Sequence, residues 1–332
     1  MTTFKEISGQ LIRTLSSDPT NPQEGQIWYN STIGVLKGRA SLGGVWASGG
    51  NMTTGVYGSM QFGIQTAGVA AGGLTPATRT TDSQEYNGSS WSSGGTVGTG
   101  RYLGGAGGVL TAGVIFGGES PGGDVTSTEE YDGTSWSPSG NMTKARRTTG
   151  IGIQTAASAV GGYDNVNKLA TVEDYNGATW ASGTNLPLSG NINSGSGLTS
   201  SARVAGGFYG PGATHPPASP QTLNNNIGWN GTSWSNDTAI PANRYNNSGF
   251  GTSSDDYYTA GGRSAPTTAM NTTIYWNGTS WAALDNLATA RWNGQGINGT
   301  PSAFYFAGGN SGSTATEEYT DPTFSTVTID TN

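Results

Sequence analysis

Short apolar runs recur along the chain at a nearly constant interval, and each ends in a pair of glycines. The pairs are Gly72-Gly73, Gly117-Gly118, Gly161-Gly162, Gly206-Gly207, Gly261-Gly262 and Gly308-Gly309. The run Gly113-Val114-Ile115-Phe116 stands before one of them, and Ala157 to Val160, Arg203 to Ala205, Tyr257 to Ala260 and Phe304 to Ala307 stand before others. Runs this short, bounded by glycine and mostly β-branched, aromatic or small, predict buried strands. Upstream of each lies a stretch of small residues such as Gly105-Ala106-Gly107-Gly108 or Gly150-Ile151-Gly152-Ile153. Glycine inside a strand predicts close backbone approach, so these stretches are expected innermost. Downstream, polar and apolar positions alternate in Thr128-Glu129-Glu130-Tyr131, followed by Asp132-Gly133 and then Ser135-Trp136-Ser137. Asn87-Gly88, Asn176-Gly177, Asn230-Gly231 and Asn277-Gly278 repeat that turn at the same phase. Asn-Gly and Asp-Gly predict two-residue type I′ hairpin turns joining a third strand to a fourth.

Two aromatic residues five apart frame each turn: Tyr86/Trp91, Tyr131/Trp136, Tyr175/Trp180, Trp229/Trp234, Trp276/Trp281 and Tyr319/Phe324. The tryptophan steps from Trp91 to Trp281 are 45, 44, 54 and 47 residues. A period of that size marks an array of four-stranded units. The aromatic pairs are expected to stack across neighbouring strands as core between units. Four small strands, a Gly-Gly after the second and a Tyr and Trp soon after resemble the kelch repeat over residues 51 to 325, although the aromatic gap is slightly short of the usual pattern. The resemblance implies a β-propeller, and six units imply six blades.

Trp46 lies 45 residues before Trp91 in Gly44-Val45-Trp46-Ala47-Ser48 and reads as a fourth strand with no complete unit before it. Either it completes the blade at the other end of the chain, or it belongs to a separate hairpin; counted as a further blade it would make seven. The division expected is residues 1–50 as an N-terminal arm and hairpin and 51–332 as the propeller. Within the arm, the run from Asp18-Pro19 through Asn21-Pro22 and Gly25 to Ile27-Trp28-Tyr29-Asn30 resembles segments of virion and tail-fibre proteins of marine tailed phages.

Composition removes several functions. The chain has 332 residues, 56 of them glycine, no cysteine, one histidine and a net charge of -7. Without a strict three-residue period, that glycine content is not collagen-like. The acidic balance argues against a nucleic-acid surface. No signal peptide is visible and no stretch is long enough for a membrane span. Galactose-oxidase-type propellers look similar in fold, but their chemistry needs histidines and a cysteine. Glu85, Glu129, Glu130, Glu173, Asp174, Glu317 and Glu318 recur at one phase of the third strand. Repetition at that phase suggests a solubilising strip on the outer side rather than a glycosidase pair, which would break the symmetry. Asp132-Gly133-Thr134-Ser135-Trp136 is similar to a sialidase Asp-box turn with its glycine one place early. No cofactor or metal is expected.

One register carries the candidate site. Ten residues after the fourth-strand tryptophan stand Arg101, Arg146, Arg244 and Arg291, with Gly190 and Val56 as exceptions. The next positions are Tyr57, Tyr102, Arg147, Asn191, Tyr245 and Trp292. These residues enter the innermost strands and are expected to ring one mouth of the central channel, where arginines of kelch-like propellers often line the binding face. Arginine with aromatics suits carboxylates or acidic sugars; the competing reading ties blades together through loop carbonyls. The loop Phe208 to Asn225, which holds His215, makes the fourth unit longest and is expected on the same face. The expected role is a non-enzymatic virion protein present in several copies per particle. Its arm would bind other virion proteins, and its propeller would meet a host glycan or protein. A cellular kelch-type protein-binding module and a glycan-acting enzyme are the alternatives.

Overall fold

The computed structural model describes residues 12–18, 27–40, 44–191, 194–209, 224–264, 268–293, 303–321 and 325–328, and among them every regular element is a strand. The chain divides into two compact units, Met1–Gly44 with Asp321–Asn332, and Val45–Thr320. Compared with a 1–50/51–332 division, the larger unit begins a strand earlier, and the chain's last twelve residues belong with its first.

The larger unit is a succession of antiparallel sheets, an all-β arrangement consistent with a β-propeller. The first sheet runs Met60–Ile64, Ala67–Ala71, Asp82–Tyr86, Trp91–Thr96, each strand paired with the next. The second runs Gly105–Val109, Ala112–Phe116, Thr128–Tyr131, Trp136–Ser139. The third is built on Arg147–Ile153, Ala156–Tyr163, Lys168–Tyr175 and Trp180–Ser182; the fourth on Gly195–Leu198, Ser201–Ala205, Asn226–Trp229 and Trp234–Asn236. The fifth comprises Ser248–Ser253, Asp256–Ala260, Thr273–Trp276 and Trp281–Ala283. First strands of successive sheets lie side by side from the first sheet to the fifth. Their glycines allow this: a Cβ on Gly150 would stand 2.3 Å from the Ala106 carbonyl oxygen of the neighbouring sheet.

The sixth sheet departs from the expected pairing. It contains Ala303–Ala307 and Thr316–Thr320, and the strand beside the latter is Val45–Ser48, with Tyr319 opposite Trp46. Trp46, not Phe324, takes the fourth-strand aromatic position; Phe324 lies outside the described residues, as does the expected first strand at 294–297. Ser325–Thr328 instead pairs with Val35–Ala40 in the smaller unit. A strand pairs with the partner that gives its alternate side chains a core, and Trp46 packs within 5.4–6.4 Å, ring to ring, of Tyr319, Phe304 and Phe250.

The Asx-Gly turns also differ from expectation. Tyr86 pairs directly with Trp91 and Tyr131 with Trp136, which leaves four residues in each loop rather than two. Only the glycine has positive φ, +90° at Gly88 and +95° at Gly133. The Asn87 side-chain oxygen accepts from the amides of Ser89 and Ser90, and Asp132 does the same for Thr134 and Ser135. The side chain thus supplies a turn that a type I′ pair would have made with backbone alone. The rings still meet as expected, with centroids 4.7–5.3 Å apart in five units.

The core lies between sheets. Separate buried clusters join the first and second, second and third, third and fourth, and fourth and fifth sheets. A further cluster combines Phe250 and Tyr258 of the fifth, Phe304 and Tyr319 of the sixth, and Tyr86 and Trp91 of the first. Indole N–H groups follow the same succession: Trp136 donates to Ser83, Trp180 to Thr128, Trp91 to Thr316 and Trp46 to Thr273, each in the preceding sheet.

In the smaller unit, Arg13–Leu15 lies parallel to Ile27–Asn30, which pairs with Val35–Ala40. Asp18 is its hub: one carboxylate oxygen accepts from the Trp28 indole at 3.0 Å and Asn30 at 2.8 Å, the other from Lys37 at 2.6 Å. Hydrogen bonds from Lys37, Asn30 and Trp28 lower its pKa to about 2.

Candidate functional site

The four registered arginines are inside the protein. Arg101 and Arg146 are 0% exposed, Arg244 1% and Arg291 3%. Three meet a carboxylate from the third strand of their own sheet: Arg101 with Glu129 at 2.8 Å, Arg146 with Glu173 at 2.5 Å and Arg291 with Glu317 at 2.6 Å. The second oxygen of each carboxylate accepts a backbone amide from the loop before the first strand: Gly98, Thr143 and Ala288 respectively, each at 2.6 Å. Charges removed from water need a close opposite charge with its remaining lone pairs bonded, and this geometry provides both. Burial lowers the arginine pKa values at all three sites. Burial would raise that of Glu173, but the Thr143 hydrogen bonds and the Arg146 charge outweigh it, so this carboxyl stays ionised well below neutrality.

Six of the seven acids of that repeat are therefore not a solubilising strip; Asp174, which accepts from the Ser158 hydroxyl at 2.6 Å, is the exposed one. On a strand, side chains alternate between faces. Glu129, Glu173 and Glu317 point to the buried arginines, whereas Glu85, Glu130 and Glu318 accept phenolic hydrogen bonds from Tyr131, Tyr175 and Tyr86 of the following sheet. The exceptions fit the same logic. In the first unit Val56 replaces arginine and the carboxylate position is the neutral Gln84, which still accepts from the Thr53 and Thr54 amides. In the fourth, Gly190 coincides with Ile227. Arg244 has Ile274 at the acid position; its guanidinium donates to the Thr272 carbonyl and hydroxyl, and burial lowers its pKa to about 10. Arg203, on the second strand of the fourth sheet, went unrecognised from sequence. It is 2% exposed, donates to Asp237 at 2.9 Å and lies over Trp276; it has no counterpart at that position in other units, so repeat reading gives it no weight.

The registered arginines also explain the double glycines. Gly73 N donates to Arg101 O, Gly118 N to Arg146 O, Gly207 N to Arg244 O, Gly262 N to Arg291 O, and Gly309 N to Val56 O. The preceding glycine has φ between +60° and +74° in each of these pairs. An added Cβ on Gly117 would stand 2.7 Å from the Arg146 carbonyl oxygen. Each pair thus carries the backbone into its neighbour at a distance no side chain allows.

What reaches the surface is the position one residue later. Tyr57, Tyr102, Arg147 and Trp292 are half-buried, and Tyr245 is buried. The Tyr57 ring lies 5.9 Å from both Tyr102 and Trp292. Beyond Tyr102 stands a charged cluster: its hydroxyl donates to Glu119, which also pairs with Arg79 and with Arg147, and Arg147 further meets Asp124 at 3.2 Å. Burial, reinforced by Glu119, pushes the Tyr102 phenol up to about 12. At the other end, Arg263 lies over the Trp292 ring at 3.5 Å and exchanges backbone hydrogen bonds with Tyr245. Arg263 belongs to a short hairpin, Arg263–Ser264 with Thr268–Ala269, that extends the connection between second and third strands; Glu119–Ser120 with Gly123–Asp124 does so in the second sheet. These connections share a face with the start of the first strands, as the loop argument requires. Phe208–Tyr209 pairs with Gly190–Asn191, while His215 and the rest of its loop, 210–223, lie outside the described residues.

At the far ends of the first strands, Val109, Ile153, Leu198 and Thr252 border a cavity of about 210 Å³. Among the described residues no group of three or more His, Cys, Asp or Glu could hold a metal ion. No helix among them is long and apolar enough to cross a membrane. No protein-family model and no curated protein matches the chain.

Proposed function

We propose that residues 45–320 form a closed six-bladed kelch-like propeller acting as a non-enzymatic recognition platform, and that the protein is a structural component of a phage virion. The ring reading is supported by the Val45–Ser48 strand beside Thr316–Thr320 and by the core cluster that joins the fifth, sixth and first sheets. The recognition reading is carried by one observation. The half-exposed rings of Tyr57, Tyr102 and Trp292 adjoin each other on one face, while the more deeply placed arginines and carboxylates are committed to internal pairs. Loops and edge groups held on a rigid scaffold are where binding chemistry concentrates. Virion membership rests on the resemblance of the Asp18–Asn30 run to phage fibre segments. In this reading the unit containing residues 1–44 attaches to other virion proteins, and copies repeat on the particle. Immunogold labelling of particles with antibody against residues 45–320 tests it. Label at fibre or tail tips is the expected result, and label at the neck or capsid would make the protein a decoration or docking component. Unlabelled particles would overturn the virion assignment and leave a cellular binding module.

A further inference from the structure

The cations of this face are not equivalent. Arg79 and Arg147 share Glu119, Arg147 also reaches Asp124, and Lys144 meets Asp164 at 2.7 Å. Arg263 has no carboxylate within pairing distance among the described residues, and its guanidinium makes no hydrogen bond there. It lies over the Trp292 ring at 3.5 Å. A guanidinium over an indole uses its π face and keeps its N–H groups for an acceptor; the Arg263 Nε is buried without a hydrogen-bond partner, which leaves the terminal nitrogens to meet one. From Arg263 the surface continues through Trp292, Tyr57 and Tyr102, with the Tyr57 hydroxyl lacking a partner among the described residues, and ends at Glu119, which Arg79, Arg147 and the Tyr102 hydroxyl already hold. An anion anchor and a run of aromatic rings thus adjoin each other.

We propose that Arg263 and the Trp292–Tyr57–Tyr102 run bind an acidic oligosaccharide, with the sugar carboxylate on the Arg263 guanidinium and the apolar faces of the sugar rings on the aromatic side chains. The assignment rests on the reading of this face as a recognition surface but not on virion membership. An acidic peptide would also place a carboxylate on Arg263. It has less use for three adjacent flat rings, whereas the apolar faces of sugar rings pack on them.

The test is saturation-transfer NMR and calorimetry on the full chain with 3′-sialyllactose, against lactose as the same saccharide without the acid and a carboxy-terminated acidic pentapeptide as competitor. Sialyllactose is expected to bind and lactose about tenfold or more weakly, the usual consequence of losing a charge-assisted pair. Arg263→Gln is expected to remove that preference, while Lys144→Gln, whose charge is already paired, leaves it intact. Far-ultraviolet circular dichroism and thermal melting of both variants establish that they fold. Equal binding of sialyllactose and lactose, binding by neither, or tighter binding of the peptide would each overturn the proposal. Immunogold results bear only on the virion assignment, so the two failures are distinguishable.

Discussion

At Arg146 a charge sits wholly inside the protein because its two terminal nitrogens donate to Glu173 and the Ala159 carbonyl, and Thr143 donates to the other carboxylate oxygen. Arg146→Ala leaves Glu173 buried without its cation, and urea unfolding is expected to show a loss of about 3–5 kcal/mol. The first unit suggests the compensated alternative, since Val56 and Gln84 occupy the same two positions. Arg146→Val with Glu173→Gln is therefore expected to cost clearly less than Arg146→Ala; an equal or larger cost would mean that the charge itself, not its pairing, is what the site needs. Because Glu173 is depressed below its ordinary 4.5, the stability it contributes is complete above that value. It disappears as the pH falls below it. The register of these arginines was legible in the spacing, but their depth was not. Spacing reports phase along the strand, and only the acid two residues before each third-strand aromatic signals that the charge is neutralised inside. Glu129, Glu173 and Glu317 stand opposite three of the four registered arginines, Arg244 having Ile274 there, and Gln84 and Ile227 stand where arginine is absent.

Among elements, the double-glycine bend links a sheet to the next at five of the six pairs. Gly117→Ala forces a side chain to φ +62° with its Cβ 2.7 Å from Arg146 O, and an expected loss of about 1–3 kcal/mol would appear in thermal unfolding. Gly123→Ala, at φ +112° with nothing within 4 Å of the added Cβ, carries backbone strain alone and is expected to cost less; the reverse order would show that close approach is not what the glycine pair is for. The strand order within each repeat was readable from glycine and aromatic punctuation. The turn type was not, because Asn-Gly favours type I′ only when the side chain has no better use. Here Asn87 and its equivalents cap two amides. In the smaller unit, Asp18 depresses its own titration through three donors. The order it imposes is expected to be complete above its ordinary 3.8 and lost as pH falls toward about 2, followed by the Trp28 indole N–H resonance. Asp18→Asn, which cannot pair with Lys37, should give at neutral pH the indole shift that the unmodified protein shows only in acid.

At the scale of the molecule, the proposed six-bladed ring has one structural problem: the first and last sheets must meet. Trp46 was recognised as a fourth strand without a unit, and which sheet it completes could not be read from its position. A strand's partner depends on contacts some 270 residues away, which no local pattern reports. Placed beside Tyr319, the strand supplies the missing edge and satisfies its indole N–H on Thr273 of the fifth sheet at 2.9 Å. The proposed recognition face depends on the proposed closure, because Tyr57 and Trp292, whose rings lie 5.9 Å apart, come from the first and sixth units. The most direct measurement uses the absence of native cysteine. Val45 and Thr320 are paired, exposed and at opposite ends of the sequence of the larger unit, and directly opposed antiparallel residues stand close enough for a disulfide. In Val45→Cys/Thr320→Cys protein, air oxidation of the folded chain should form one intramolecular disulfide, with no thiol left to titrate and no loss of thermal stability. Two thiols that remain free in the folded protein would contradict the closed ring.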